Sequence, residues 1–198
     1  IMSSDWSSDV CSSDLMRTLS PLPPAIAMNL SIQVAEGLEA AHRAGIVHRD
    51  LKPDNIFLVD GPRDIPNVKI LDFGIAKAMS SNKRITRSGQ IFGTPHYMSP
   101  EQCAGESVDH RADVYALGTV LYEMCTGQPP FDAESLLGIL QMHMHKSPPP
   151  FETHELPFRI PRGLEAIVMR CLEKAPEARF PTMAAVSESL KRCHLAML

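Results

Sequence analysis

Three oxygen-bearing side chains stand out by type and spacing: Asp50, Asn55 five positions on, and Asp72, 22 positions after Asp50. The first two lie in His48-Arg49-Asp50-Leu51-Lys52-Pro53-Asp54-Asn55, and the third opens Asp72-Phe73-Gly74. A carboxylate is ionised at pH 7 and can accept a proton from a hydroxyl. Carboxylate and amide oxygens are also the ligands that hard divalent cations take. Lys52 adds a compact positive charge two positions after Asp50. Taken singly, each residue has a plainer reading, Asp50 in a turn and Asn55 as a cap. Two further runs follow in order, GTPHYMSPE at 93–101 and DVYALG at 113–118, and so many fixed types at fixed offsets exceed coincidence.

Such residues need elements to hold them. Prolines at 21, 23 and 24 suit a helix start, and Ile26, Leu30, Val34, Leu38 and Ala41 then recur every three or four positions. That spacing predicts one long helix, with Gly45 placed to end it. The short apolar runs Ile46–Val47, Ile56–Val59 and Val68–Leu71 read as small strands around loops. Residues 76–100 have no sustained period and read as a long functional loop. DHRADVYALGTVLYEMCTG is apolar nearly all the way round, as in a helix buried on every side, and Gly127 sits at its end. AESLLGILQMHMHK, GLEAIVMRCLEKA and TMAAVSESLKRCHLAML predict three more helices, with a Pro148–Pro150 loop after the first. The expected body is mostly helical, with a little β-structure near the catalytic residues.

Bulk properties exclude several classes. With 198 residues, 44% of them hydrophobic, the chain can build a real core. A net charge of −4 gives no footprint for nucleic acid or an anionic membrane. No apolar run is long enough to span a bilayer. The cysteines at 11, 103, 125, 171 and 193 form no CxxC pair, so neither a zinc site nor a disulfide framework is indicated, and a reducing cytoplasm is the simplest compartment. His143 and His145, two apart on a helix, point to different faces; together with His154 they read as surface or groove histidines rather than metal ligands. The methionines read as core fillers.

Residues 3–15 are a polar near-repeat, SSDW, SSDV, C, SSDL. Asp9 to Leu15 is what translation of GACGTGTGCTCTTCCGATCT gives, which resembles the end of a common sequencing adapter. Residues 1–15 are therefore expected to be a disordered, adapter-derived artefact, and 16–198 the protein proper.

HRDLKPDN, DFG, GTPHYMSPE and DVYALG together resemble the protein kinase family over residues 20–198, the C-terminal lobe. VKILDFGIAK and GTPHYMSPEQ look bacterial, with Tyr115 where many eukaryotic members carry Trp. The resemblance implies an α+β kinase-like fold truncated to its mostly helical lobe. It implies that Asp50 orients the substrate hydroxyl and accepts its proton, that Lys52 neutralises the moving phosphoryl group, and that Asn55 and Asp72 hold Mg²⁺ (or Mn²⁺) bridging the ATP phosphates. Phe57 corresponds to the residue beneath the adenine ring. Lys52 and Thr94 match serine/threonine rather than tyrosine kinases. Arg49 would be paired by a phosphate on the activation segment, with Thr86 and Ser88 as candidates and Ser80 and Ser81 behind them. Glu101 would pair with Arg179, Asp113 would accept hydrogen bonds from the catalytic-loop backbone, and His48 would stack with Phe73.

The family's G-x-G-x-x-G loop, its V-A-I-K lysine, the partner glutamate and the hinge do not occur in these 198 residues. The expected partners are thus protein substrates bearing Ser or Thr and an N-terminal lobe that is missing here, with no nucleic acid or membrane contact from this segment, although a longer parent could be membrane-anchored. The parent is expected to transfer the ATP γ-phosphate to proteins, and the fragment alone to be inactive. Two alternatives stand beside this: a non-catalytic kinase-lobe binding module, and a small-molecule phosphotransferase, against which GTPHYMSPE argues.

Overall fold

The computed structural model describes the backbone of Val10–Cys11 and residues 21–59, 66–73 and 95–197. Six helices are present among them: α1 (Pro24–Arg43), α2 (Pro100–Ala104), α3 (Arg111–Thr126), α4 (Leu136–His145), α5 (Arg162–Cys171) and α6 (Met183–Leu195). Three strands, β1 (Val10–Cys11), β2 (Ile56–Val59) and β3 (Asn67–Ile70), form an antiparallel sheet in the order β1-β2-β3. Ile56 pairs with Ile70 and Val59 with Asn67, while Leu58 faces Val10 and Phe57 faces Cys11. Within residues 1–15, then, the one described piece is paired to the sheet.

The organising element is α3. All of its residues except Arg111 and Glu123 are buried, as its all-round apolar sequence requires. On one side lies α1, whose Leu30, Val34 and Leu38 enter the core, while Ile26 and Ala41 stay half-buried at its edge. On another side lies α5, which approaches closely because residue 118 is glycine: a Cβ there would lie 2.6 Å from Cys171 Cβ. The C-terminal helix α6 packs along α1, and α2 packs on α4. Gly45 (φ 74°) and Gly127 (φ 83°) adopt the left-handed conformation that ends α1 and α3.

Two expectations are corrected. Ile46–Val47 is not a strand. The amide of Ile46 closes the end of α1 by donating to Ala41 O at 3.0 Å, and the amides of His48 and Arg49 are claimed by a buried carboxylate described below. His143 is not at the surface or in a groove. It is fully buried, its Nδ1 2.9 Å from the Tyr115 hydroxyl and its ring edge-on to Phe131. His154, half-buried, bonds to the Tyr122 hydroxyl at 2.6 Å.

Candidate active site

The loop from His48 to Asn55 hangs between the end of α1 and the start of β2. Its shape is dictated by Asp113, on the first turn of α3, which is wholly buried. One carboxylate oxygen accepts from His48 N at 2.8 Å and from His42 Nε2 at 2.7 Å; the other accepts from Arg49 N at 2.8 Å. These bonds hold Arg49 at φ 63°, a conformation that costs a non-glycine residue roughly 1–2 kcal/mol. Gln102 of α2 donates to Arg49 O at 2.8 Å, fastening the same peptide from the opposite side.

His48 is buried, and its two ring contacts fit a single tautomer. Nδ1 accepts from Asp50 N at 3.3 Å, so the proton resides on Nε2, which donates to Leu71 O at 3.0 Å. Its ring meets Phe73 with centroids 4.8 Å apart. One imidazole thus ties the Asp50 backbone to the residue preceding Asp72.

Pro53 starts a single 3₁₀ turn, Pro53–Asn55, which brings Asn55 back beneath Asp50. Asn55 Nδ2 donates to Asp50 O at 2.8 Å, and Leu71 N donates to Asn55 O at 2.9 Å. With its amide nitrogen committed, Asn55 presents its side-chain oxygen as an acceptor. Asp72 follows Leu71 at φ 54° and is exposed. Asp50 and Lys52 are half-buried, as is Phe57 on β2. Two hydrogen bonds thus bring the three residues' segments together, one from the Asn55 side chain to Asp50 O and one from Leu71 N, beside Asp72, to Asn55 O. Carboxylate and amide oxygens suit Mg²⁺, which binds through one or two protein ligands and takes the rest from phosphates and water.

A second cluster sits behind the first. Glu101 of α2 and Arg179 pair bidentately at 2.8 and 2.7 Å, both buried. Arg179 also donates to the carbonyls of Glu173 (2.8 Å), Arg111 (3.0 Å) and Lys174 (2.9 Å), so all five of its N–H groups are used. Burial alone would raise the Glu101 carboxyl, but the hydrogen bonds and charge of Arg179 outweigh it and hold that carboxyl below its ordinary range.

Thr86, Ser88 and Thr94 lie outside the described residues, as do Ser80 and Ser81. The Nε of Arg49 is buried without a hydrogen-bond partner among the described residues. Three contacts were not anticipated from sequence. His42, in the last turn of α1, is the third partner of Asp113, and nothing local marks it. Ser99 and Gln102 form a capping box on α2, readable in S-P-E-Q as the S-x-x-Q pattern. Tyr97 donates to Glu123 at 2.6 Å, and Glu123 could have been singled out as the lone carboxylate in the second half of an apolar helix.

Residues 7–190 match the family model described as protein kinase domain. The chain belongs to the protein kinase family. Among similar kinases, the serine/threonine-protein kinase Pkn1 of Myxococcus xanthus is 46% identical over 171 residues, covering 86% of this chain and 24% of that protein. PknB of Mycobacterium leprae is 40% identical over 182 residues, covering 91% of this chain and 28% of that kinase. The chain thus spans about a quarter of the length of these curated relatives. A crystal structure of a mutant Mycobacterium tuberculosis PknI kinase domain superposes with a TM-score of 0.68 at 25% identity, covering 96% of this chain and 63% of that one. The kinase fold, in its mostly helical part with short strands at the catalytic loop, accounts for the architecture above. No helix among the described residues of this kinase segment is long and apolar enough to cross a membrane.

Proposed function

We propose that this segment is the catalytic-loop half of a serine/threonine protein kinase whose parent transfers the γ-phosphate of ATP to Ser or Thr hydroxyls of proteins in the cytoplasm. Asp50 accepts the hydroxyl proton and orients the nucleophile, and Lys52 offsets the charge of the moving phosphoryl group. Asn55 and Asp72 hold Mg²⁺, which when bound supplies countercharge to the phosphates. Phe57 lies beneath the adenine, Thr94 belongs to the platform that receives the substrate hydroxyl, and Arg49 receives an activating phosphate from Thr86 or Ser88. His48 and Phe73 start a column that continues into the lobe carrying the glycine-rich loop. Residues 16–198 form the kinase-lobe unit.

What carries the reading is the double constraint on one short loop: Asp113 grips its backbone at His48 and Arg49, and Asn55 grips it at Asp50. Phosphoryl transfer depends on placement and countercharge more than on covalent chemistry, so a base held by its main chain is what the reaction needs. The segment by itself holds no glycine-rich loop or phosphate-binding lysine, and it is expected not to transfer phosphate. The test uses labelled ATP with Mg²⁺ and a generic Ser/Thr substrate. The parent protein should be active and its Asp50→Asn variant inactive, and the 198-residue chain should give no signal above its own Asp50→Asn control. An active Asp50→Asn parent would remove the assigned base.

A further inference from the structure

The 3₁₀ turn Pro95–Tyr97 follows Thr94 directly and packs on both α3 and α4. Its side chains are held: Tyr97 donates to Glu123 at 2.6 Å, and His96 Nε2 meets Asp132 Oδ1 at 3.3 Å. Its main chain is less well served. Pro95 O accepts from Met98 N at 3.2 Å. Ser99 N, which would serve His96 O in the same way, donates to Gln102 Oε1 at 3.0 Å instead. The capping box of α2 thus takes the amide next in line and leaves the His96 carbonyl to another donor. On the α4 side stands His143, wholly buried and edge-on to Tyr115 and Phe131. Its Nδ1 lies 2.9 Å from the Tyr115 hydroxyl, which accepts from Lys174 Nζ at 3.5 Å and so has its own proton for Nδ1. A neutral imidazole bonded in this way carries its proton on Nε2. That Nε2 is buried and has no hydrogen-bond partner among the described residues. The backbone group that faces the imidazole is that of His96. A buried donor without an acceptor is costly, and here a donor and a carbonyl, each unclaimed, face one another.

We infer that His143 is a positioning residue of the substrate platform: its Nε2–H pairs with the His96 carbonyl and fixes the height of the Pro95–Tyr97 turn over α4. The side-chain contacts of Tyr97 and His96 hold the turn at its sides, and this bond supports it from beneath. His143 transfers no proton and touches no reacting atom. Its ring passes the rigidity of the buried α3 tyrosine, through α4, to a segment that would receive the substrate hydroxyl. That last link rests on the kinase reading above; the bond itself does not.

Two substitutions separate the two ring nitrogens. His143→Asn keeps an acceptor near the Nδ1 position and removes the donor at Nε2, whereas His143→Gln keeps a donor near Nε2 and removes the acceptor. In the 198-residue chain, amide hydrogen exchange is followed at 97–99 and along α3. His143→Asn should speed exchange at 97–99 by at least about fivefold, the worth of one ordinary hydrogen bond, and leave α3 unchanged. His143→Gln should stay within about twofold of the unsubstituted chain at both places. In the parent kinase, His143→Asn should raise KM for a protein substrate by at least about fivefold without changing KM for ATP, and His143→Gln should restore most of it. Equal effects of the two substitutions, or faster exchange spreading into α3, would make His143 a packing residue only and overturn the inference. A parent inactive on every substrate overturns the kinase reading instead, and hydrogen exchange still decides the contact.

Discussion

Asp113 shows how one buried carboxylate can set the geometry of a loop that it never touches with a side chain of that loop. It satisfies two amides and an imidazole at once, and each donor left unpaired in that dry position would cost about 1–3 kcal/mol. We expect His42→Phe to lower stability by about 1–2 kcal/mol and Asp113→Ala to lower it by more, because the mutant loses three bonds and leaves Arg49 in its left-handed conformation unsupported. Urea unfolding of both single variants and the double variant measures the coupling, and purely additive losses would contradict it. Arg179 makes a comparable argument. With all five N–H groups engaged, Arg179→Lys should fail to rescue what Arg179→Ala loses, about 3–5 kcal/mol, since an ammonium cannot reproduce the planar fork. A lysine variant as stable as the parent in thermal unfolding would show that the fork is dispensable.

At the scale of elements, periodicity and punctuation in the sequence located most of the structure. The stripe of α1, the all-apolar α3 and the terminal glycines 45 and 127 are local signals with local causes. What could not be read locally depends on partners far along the chain. Ile46–Val47 has the composition of a strand, but the Ile46 amide is diverted to Ala41 O and the following His48 and Arg49 amides to Asp113, 65 positions away from His48. His143 looks polar, yet it is buried because Tyr115, 28 positions earlier, meets it inside the core. Within the site, motif spacing singled out Asp50, Asn55 and Asp72, and the family resemblance added Asp113, Glu101 and Arg179 as structural partners. It was silent on His42, whose role exists only once α1 lies against α3. Two glycines separate steric from conformational causes. Gly118→Ala should destabilise by about 1–3 kcal/mol through collision with Cys171, and Cys171→Gly should recover part of that loss. Gly105→Ala should cost about 1 kcal/mol from its φ of 70° alone, with open space around it, and Cys171→Gly should recover none of it. Chemical denaturation of the three single and two double variants distinguishes the two.

For the molecule as a whole, buried titratable groups set the response to acid. Burial lowers the His143 pKa from 6.5 to about 3. The unfolded chain therefore binds a proton there before the folded one does, and stability present above pH 6.5 is lost as pH falls toward 3. Glu101, held below its ordinary range, adds a loss in the same direction at lower pH. Glu123 opposes both: burial raises its pKa, so its contribution is largest in acid and is lost as pH rises through the folded value. The net expectation is a fall in stability below pH 6.5. His143→Gln should make that fall shallower by up to about 1.4 kcal/mol per pH unit, the value of one proton. Melting temperatures of the two proteins across that range check it; parallel curves would mean that His143 does not titrate on unfolding.

The buried Glu101–Arg179 ion pair joins residues 78 positions apart. During synthesis Glu101 leaves the ribosome long before Arg179 is made, and until then its carboxylate must stay hydrated. The α2 segment should accordingly dock only after Arg179 has emerged. Stalled nascent chains ending before residue 179 should remain open to protease at 100–104, and those with a linker long enough to carry the last helix clear of the ribosome should be resistant.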